Sequence, residues 1–354
     1  MTLLITGATG FIGRHLCARL TAGEQPVLAL MRHPQALAKL RATVDRLGGN
    51  SHYLDALPGD LDAPDLGLTG SPPPLDAVVH LGARFGWRLP AEAARRTNVS
   101  GSLAVARLAR HQHCRLVFIS GFMLENQRHL KRLGIDGEDP AAIDWQRVYR
   151  HAGAYEASKM EAAITVRWRL RNEDWVEVQP ATVAGHSLNG DLDPAQPLHA
   201  LIDNLARGRL AVVPGGPEHW LPLIPVDTLA AIIDHAIRDP APPRRILGLD
   251  PGTPNLKPML NLIAETLGCR APGLHFPIPL LAHLLRLPAL ARFANTEPEA
   301  LHFIQPERFD LSDTTPFLER TGVRLPPMPQ VLRASAGHYL ESHGRTSEKR
   351  QGSR

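Results

Sequence analysis

Two clusters and one strand-ending serine carry the chemistry open to this sequence. Residues 6–13 read TGATGFIG, with Gly7, Gly10 and Gly13 three apart. In such a loop the first glycine permits a tight turn. The middle one lets the backbone approach a pyrophosphate, and the last lets a helix pack closely on a strand. The helix that follows aims free N–H groups and a favourable dipole at the phosphates. Thr9, Phe11 and Ile12 lie in the same loop and join the glycines as candidate cofactor contacts. Residues 155–159 read YEASK, so Tyr155 and Lys159 share one face of a helix. A neighbouring ammonium favours the phenolate and makes tyrosine a workable acid–base group. Such a pair by itself is better read as a surface contact. Its place after a dinucleotide loop and between two strands makes it a candidate catalytic pair. Ser120 ends a strand, where an open α/β sheet binds its ligands, and is placed to hydrogen-bond a substrate oxygen. Asn98, on the preceding helix, either anchors a water near Lys159 or bonds to backbone.

The end of the second strand bears on the choice of cofactor. An NAD site places a carboxylate there, about 20 residues past the glycines, to hold the ribose 2′-hydroxyl. Here that point reads Met31-Arg32-His33. Arg32 suits a 2′-phosphate, which its planar fork can pair, and NADP(H) is the expected cofactor. Asp60, in PGDLD, either accepts from the adenine amine or closes a turn.

The elements around these residues alternate. Apolar strands are expected at 2–6, 26–31, 52–57, 76–81, 115–120 and 175–179, with helices at 11–22, 34–47, 90–112 and 153–171. That pattern predicts right-handed βαβ crossovers and an α/β fold: a Rossmann-type doubly wound parallel sheet. The second half is richer in proline. Helices are expected there at 197–207, 226–238, 256–267, 279–294 and 327–342, and strands at 220–224 and 244–248. This predicts a smaller mixed C-terminal substrate-binding cap. The division expected is a dinucleotide-binding domain over 1–184 with 218–250 returning to it, a cap from 185–217 and 251–342, and a loose tail over 343–354.

Composition narrows the class. Of 354 residues, 44% are hydrophobic and 21% charged, an ordinary globular balance, and the net charge of +4 is too small to imply nucleic acid. Cys17, Cys114 and Cys269 have no metal-like spacing and are too few for a disulfide scaffold. Reduced thiols and the lack of a signal-peptide pattern point to the cytoplasm, and no apolar run is long enough to span a membrane.

Together these residues resemble the extended short-chain dehydrogenase/reductase superfamily, which contains the epimerase/dehydratase enzymes. The matching pieces are TGATGFIG (6–13), GDL (59–61), HLGA (80–83), NVSG (98–101), VFIS (117–120), Tyr155/Lys159 and VQPATVAG (178–185). GDLDAPDLGL (59–68) and YEASKMEA (155–162) look most like the branch of fatty acyl-CoA reductases and carrier-protein thioester reductase domains. The resemblance implies that Tyr155 donates the proton, Lys159 binds the ribose and Ser120 partners the oxyanion. It also implies cofactor contacts from Asp60, Leu61, Leu81, Gly82 and Ala83, and a nicotinamide wall from Pro180, Thr182 and Val183. Three features depart from the pattern. Gly121 stands where a second Ser or Thr often follows the fifth strand, and Ala163 where a Glu is usual. The adenylation and carrier domains of fused thioester reductases are lacking, so a free-standing reductase is expected.

The expected activity is NADPH-dependent hydride transfer to an aldehyde, ketone or acyl thioester. The rivals are an NAD-dependent nucleotide-sugar epimerase or dehydratase and a catalytically silent NADP-sensing protein. Phe122, Met123 and Trp220 either line a pocket for an apolar substrate or fill the core. No metal is expected, and a homodimer is compatible with this reading. The proline- and leucine-rich stretch 276–293 belongs to the pocket, or touches a membrane or partner chain.

Overall fold

The computed structural model describes residues 1–86 and 89–351. The chain forms two compact units. The first comprises Met1–Pro180, Leu229–Gly248 and Leu311–Val323; the second comprises Ala181–Thr228, Leu249–Asp310 and the chain from Arg324 onward.

The first unit is built on strands β1 (Leu3–Thr6), β2 (Val27–Met31), β3 (Leu54–Pro58), β4 (Ala77–His80), β5 (Arg115–Ile119) and β6 (Trp175–Pro180), with a further strand at Arg245–Gly248. All pair in parallel, in the order Arg245–Gly248, β6, β5, β4, β1, β2, β3. Leu3, Leu4 and Ile5 of β1 have no exposed surface. Strands buried on both faces follow from crossover helices on both sides of the sheet. Each such side chain contributes roughly 1.5–3 kcal/mol by leaving water. The chain reverses its direction of travel across the sheet between β1 and β4, and the crevice beyond their carboxyl ends is where such sheets bind ligands.

The helices Phe11–Ala22, Leu37–Arg46 and Ala154–Leu170 fall where the periodicity placed them. The helix expected over 90–112 runs without a break from Ala91 to His111, as Ala91–Ala94, a π-helical turn Arg95–Ser100, and Gly101–His111. Two helices were not expected, Gln127–Leu133 and Trp145–Ala152. A third, Thr314–Thr321, joins this unit because the Thr314 hydroxyl accepts from Leu247 N–H at 2.9 Å, on the last strand.

The second unit holds two small parallel pairs, Thr182–Ala184 with Leu223–Pro225 and Val213–Pro214 with His275–Phe276. Its helices are Pro197–Ala206, Leu256–Leu267, Ile278–Leu284, Pro288–Phe293 and Met328–Gln351. The single helix expected over 279–294 breaks at Leu287, because proline disfavours helical backbone in the residue before it. The boundary between the units lies after Pro180 rather than 184. Residues 218–228 go with the second unit, since Leu223–Pro225 pairs with Thr182–Ala184 and not with the large sheet. Residues 343–351, expected to be loose, continue the helix Met328–Gln351; the last three residues of the expected tail lie outside the described residues.

Candidate active site

The three loop glycines do different work. Gly7 has φ +72°, and a Cβ there would sit 2.7 Å from Gly82 N, so β1 and the chain leaving β4 meet backbone to backbone. A Cβ on Gly13 would lie 2.1 Å from Gly7 O. Gly7 and Gly13 are therefore packing requirements. A Cβ on Gly10 would meet only Gly7 O, at 3.2 Å, and Thr9 and Gly10 are exposed. The space above Gly10 is open, as close approach of a pyrophosphate requires. Gly10 also precedes the helix Phe11–Ala22 without a side-chain cap. Phe11 is buried, which leaves its backbone, with half-buried Ile12, as what this turn presents.

A directed run of hydrogen bonds ties this loop to the neighbouring strand. Gly82 N–H donates to Thr6 Oγ1 at 3.0 Å, and Thr6 Oγ1 lies 2.6 Å from His80 Nδ1. His80 Nε2 lies 2.8 Å from Ser102 Oγ, which donates to Asn98 O at 2.5 Å. Because Ser102 spends its proton on Asn98, its oxygen accepts from His80 Nε2–H, and Nδ1 accepts from Thr6; the tautomer is assigned from these partners. Burial, and then the charge of Lys159, hold the His80 imidazolium pKa down at about 3.

Asn98 sits in the π turn. Its Oδ1 accepts from Arg84 N–H at 2.7 Å, and its Nδ2 donates to Arg84 O at 3.2 Å and Ser158 Oγ at 2.8 Å. Ser158 donates in turn to Tyr155 O at 2.9 Å. The side chain thus braces the segment after β4 against the helix of Tyr155 and Lys159. The expectation of a water held near Lys159 is replaced by a positioning role.

Tyr155 is half-buried, and the ring of Phe85 meets it edge-on with centroids 4.7 Å apart. Burial, and then the Glu156 carboxylate, push its phenol up to about 12. This is opposite to the lowering expected from Lys159. The Lys159 ammonium donates to Ile119 O at 2.6 Å and lies 5.7 Å from the Phe118 ring centroid. Burial lowers its pKa to about 8, against a raising contribution from Glu177. Glu156 is itself held by His129 Nε2 at 2.8 Å.

Ser120 is committed elsewhere. Its hydroxyl donates to Glu177 Oε1, and Arg167 grips the same carboxylate with Nε to Oε2 at 2.6 Å and Nη2 to Oε1 at 3.1 Å. Glu177 is fully buried in β6. A serine whose proton is held this way does not present a free donor to a substrate oxygen, and Gly121 beside it has no side chain to substitute. In this arrangement the hydroxyl faces Glu177 and not the position of the oxyanion partner expected for Ser120.

At the end of β2, Arg32 has 61% of its side chain exposed and faces Asp62 at 4.0 Å. Asp62 also accepts from Thr97 Oγ1 at 2.5 Å. This nearby carboxylate was not foreseen, because it arrives from the loop after β3 and not from β2. Asp60 closes that loop: its N–H donates to Leu66 O at 2.7 Å, and Oδ1 accepts from Asp62 N–H at 3.0 Å. It has the turn-forming role that the sequence left open. Leu61 and Leu81 are half-buried, Gly82 is buried and Ala83 is exposed.

Phe122 and Met123 are buried, with Met123 in the core of the first unit. Trp220 is 1% exposed in the second unit; its indole N–H donates to Glu307 O at 2.9 Å, and Arg308 stacks 3.9 Å above the ring. All three fill cores, so the pocket-lining alternative is set aside for them. Phe85, beside Tyr155, is the exposed aromatic that sequence reasoning missed. Pro180 ends β6, and Thr182 and Val183 are buried. Among the described residues Thr182 Oγ1 has no hydrogen-bond partner.

Comparison with known proteins agrees with this geometry. Residues 5–233 match the male sterility protein family of NAD-binding domains. The aldehyde reductase lnaA of Aspergillus flavus is 26% identical, over 91% of this chain and 33% of that protein. The L-2-aminoadipate reductase large subunit of Penicillium chrysogenum is 35% identical over 30% of this chain and 9% of its own length. The chain therefore spans a third or less of these relatives. Among solved structures, the terminal R domain of the myxalamid PKS-NRPS pathway superposes with TM-score 0.76 at 21% identity, covering 96% of this chain and 90% of that one. A UDP-galactose 4-epimerase superposes with TM-score 0.60 at 16% identity, covering 97% and 99%. The parallel sheet is the architecture shared with these structures, and the chain belongs to the NAD-binding male sterility protein family.

Proposed function

We propose that the chain is an NADPH-dependent reductase that acts on the carbonyl of an apolar small molecule: an aldehyde, a ketone or an acyl thioester. The observation that carries this reading is the placement of Tyr155. It stands half-buried and edge-on to Phe85, on the helix that also holds Lys159, and a tyrosine carries the proton a donor needs at neutral pH. The residues present fit a dinucleotide. The position above Gly10 is open, as close approach of a pyrophosphate requires.

When bound, the reduced nicotinamide supplies the hydride. The exposed Thr9 and Gly10 would receive the phosphates on a turn that Gly7 and Gly13 let pack, and the exposed Arg32 guanidinium would pair with a 2′-phosphate. Lys159 binds the ribose and keeps positive charge beside the reacting groups. Tyr155 donates its proton to the carbonyl oxygen and, with Ser120 engaged by Glu177, is also the group that polarises that oxygen. Asn98 fixes Tyr155 and the segment ending in Phe85, whose ring gives an apolar wall at the acid. The relatives named as reductases support this chemistry over epimerisation.

The test is turnover of a panel of aldehydes, ketones and acyl thioesters with NADPH and with NADH. Tyr155→Phe should bind NADPH as the parent does and lose about 10²–10⁴ in rate. Wild-type turnover in that variant would remove Tyr155 as the acid and the mechanism with it.

A further inference from the structure

Leucines crowd one exposed stretch of the second unit. Among the described residues ten large hydrophobic side chains are exposed, and five of them are Leu274, Leu280, Leu284, Leu287 and Leu290. Half of the exposed apolar anchors among the described residues thus fall within one short segment, which scattered surface leucines would not do. The helix Ile278–Leu284 buries none of its residues fully. Leu285 and Ala291 are each 4% exposed, so they seat the segment while the five leucines point outward.

The charge of the segment has one sign. Residues 266–296 contain no Asp or Glu but carry Arg270, Arg286 and Arg292 with His275 and His283. Arg286, Arg292 and His283 are exposed. Glu297 and Glu299, near the turn Pro298–Phe303 that packs on Ile278–Leu284, are half-buried and engaged. A protein interface seats its anchors in shaped pockets and sets its charges on a rim. Here the arginines alternate with the leucines. Pro277, Pro279 and Pro288 also divide the segment into two short helices, with no continuous ridge to fit a groove. A lipid surface makes neither demand. Acyl chains accept leucines of any arrangement, while guanidinium groups reach back to the phosphates.

We propose that residues 274–292 form an interfacial docking face for an anionic lipid bilayer. The proposal is independent of the reductase reading.

It is tested by flotation of the full chain with phosphatidylcholine vesicles and with vesicles that also contain phosphatidylglycerol. The mixed vesicles should bind roughly tenfold more protein at low salt, and added salt should remove the difference. Leu284→Ser/Leu287→Ser should lose binding to the mixed vesicles. Arg286→Glu/Arg292→Glu should lose the preference between the two. Unchanged melting temperatures would show that both variants fold. Wild-type protein left unbound by anionic vesicles at low salt overturns the proposal. So do leucine variants that float like the parent while turning a dimer into a monomer on a sizing column, because the face then belongs to a second copy of this chain.

Discussion

Lys159 makes the fold measurably dependent on pH. Burial takes its pKa from an ordinary 10.5 to about 8, while the unfolded chain returns it to 10.5. Between those values the unfolded state binds more protons than the native one, so the lysine's contribution to stability rises with pH. The destabilisation is fully present below pH 8 and has gone by pH 10.5. The gap of 2.5, at about 1.36 kcal/mol for each pH unit, amounts to about 3 kcal/mol. Other groups act in the opposite sense: burial raises Cys17 to about 12 and Cys114 to about 11, so the native state holds those protons longer and loses stability as the pH climbs past 9. The raw profile therefore mixes both signs. The difference between wild type and Lys159→Met does not, since the cysteines are common to both. Urea melts of the two proteins from pH 7 to 10.5 should show wild type gaining on the variant by about 3 kcal/mol, most steeply above pH 8. A difference that stays flat would mean that the amine is solvated or keeps its charge throughout, and the reasoning about the site would fail with it.

The same lysine predicts that NADPH affinity falls as the pH rises through about 8, while the phenol keeps its proton to about 12; binding titrations across that range check it. Gly10→Val should keep its melting temperature and lose NADPH binding. Gly13→Ala, with its methyl 2.1 Å from Gly7 O, should lose roughly 1–3 kcal/mol of stability, as calorimetry would show. Arg32→Asp should weaken NADPH by the roughly 1.5–3 kcal/mol of a charge-assisted pair and leave NADH nearly unaffected; equal NADPH affinity in both proteins would refute the 2′-phosphate assignment. Arg167→Leu should cost about 3–5 kcal/mol because it leaves Glu177 charged and buried, and Arg167→Leu/Glu177→Leu should recover most of that loss in a double-mutant cycle.

The parallel sheet was legible because its strands are nearly continuous apolar runs, and the glycine loop because its spacing has one strong physical reading. The helices Gln127–Leu133 and Trp145–Ala152 were missed although their caps stand in the sequence: Asn126 accepts from His129 N–H and Asp144 from Arg147 N–H. Neither helix carries the long apolar repeat that periodicity detects. Ser120 was placed correctly at a strand end, but its partner comes from β6, far along the chain, and no local pattern links them. The signal available was Glu177, a charge inside the run WVEVQ. A carboxylate in a strand buried on both faces needs a cation and a donor, and Arg167 and Ser120 supply them. The direction of the Tyr155 pKa was not legible from spacing: burial and Glu156 raise it, and the Lys159 ammonium expected to lower it is engaged by Ile119 O.

The bonds from Gly82 through Thr6, His80 and Ser102 to Asn98 involve protein groups alone. Each member has its proton assigned by the next, so the network holds without any help from a bound molecule. On the proposed reading, the floor beneath the dinucleotide is held by these protein groups before the cofactor arrives. Binding would then cost little ordering of that part of the chain, and more of the contact energy would survive as affinity. Association there would follow the behaviour of a rigid mould, with the encounter rate set by diffusion and orientation instead of by waiting for a loop to fold.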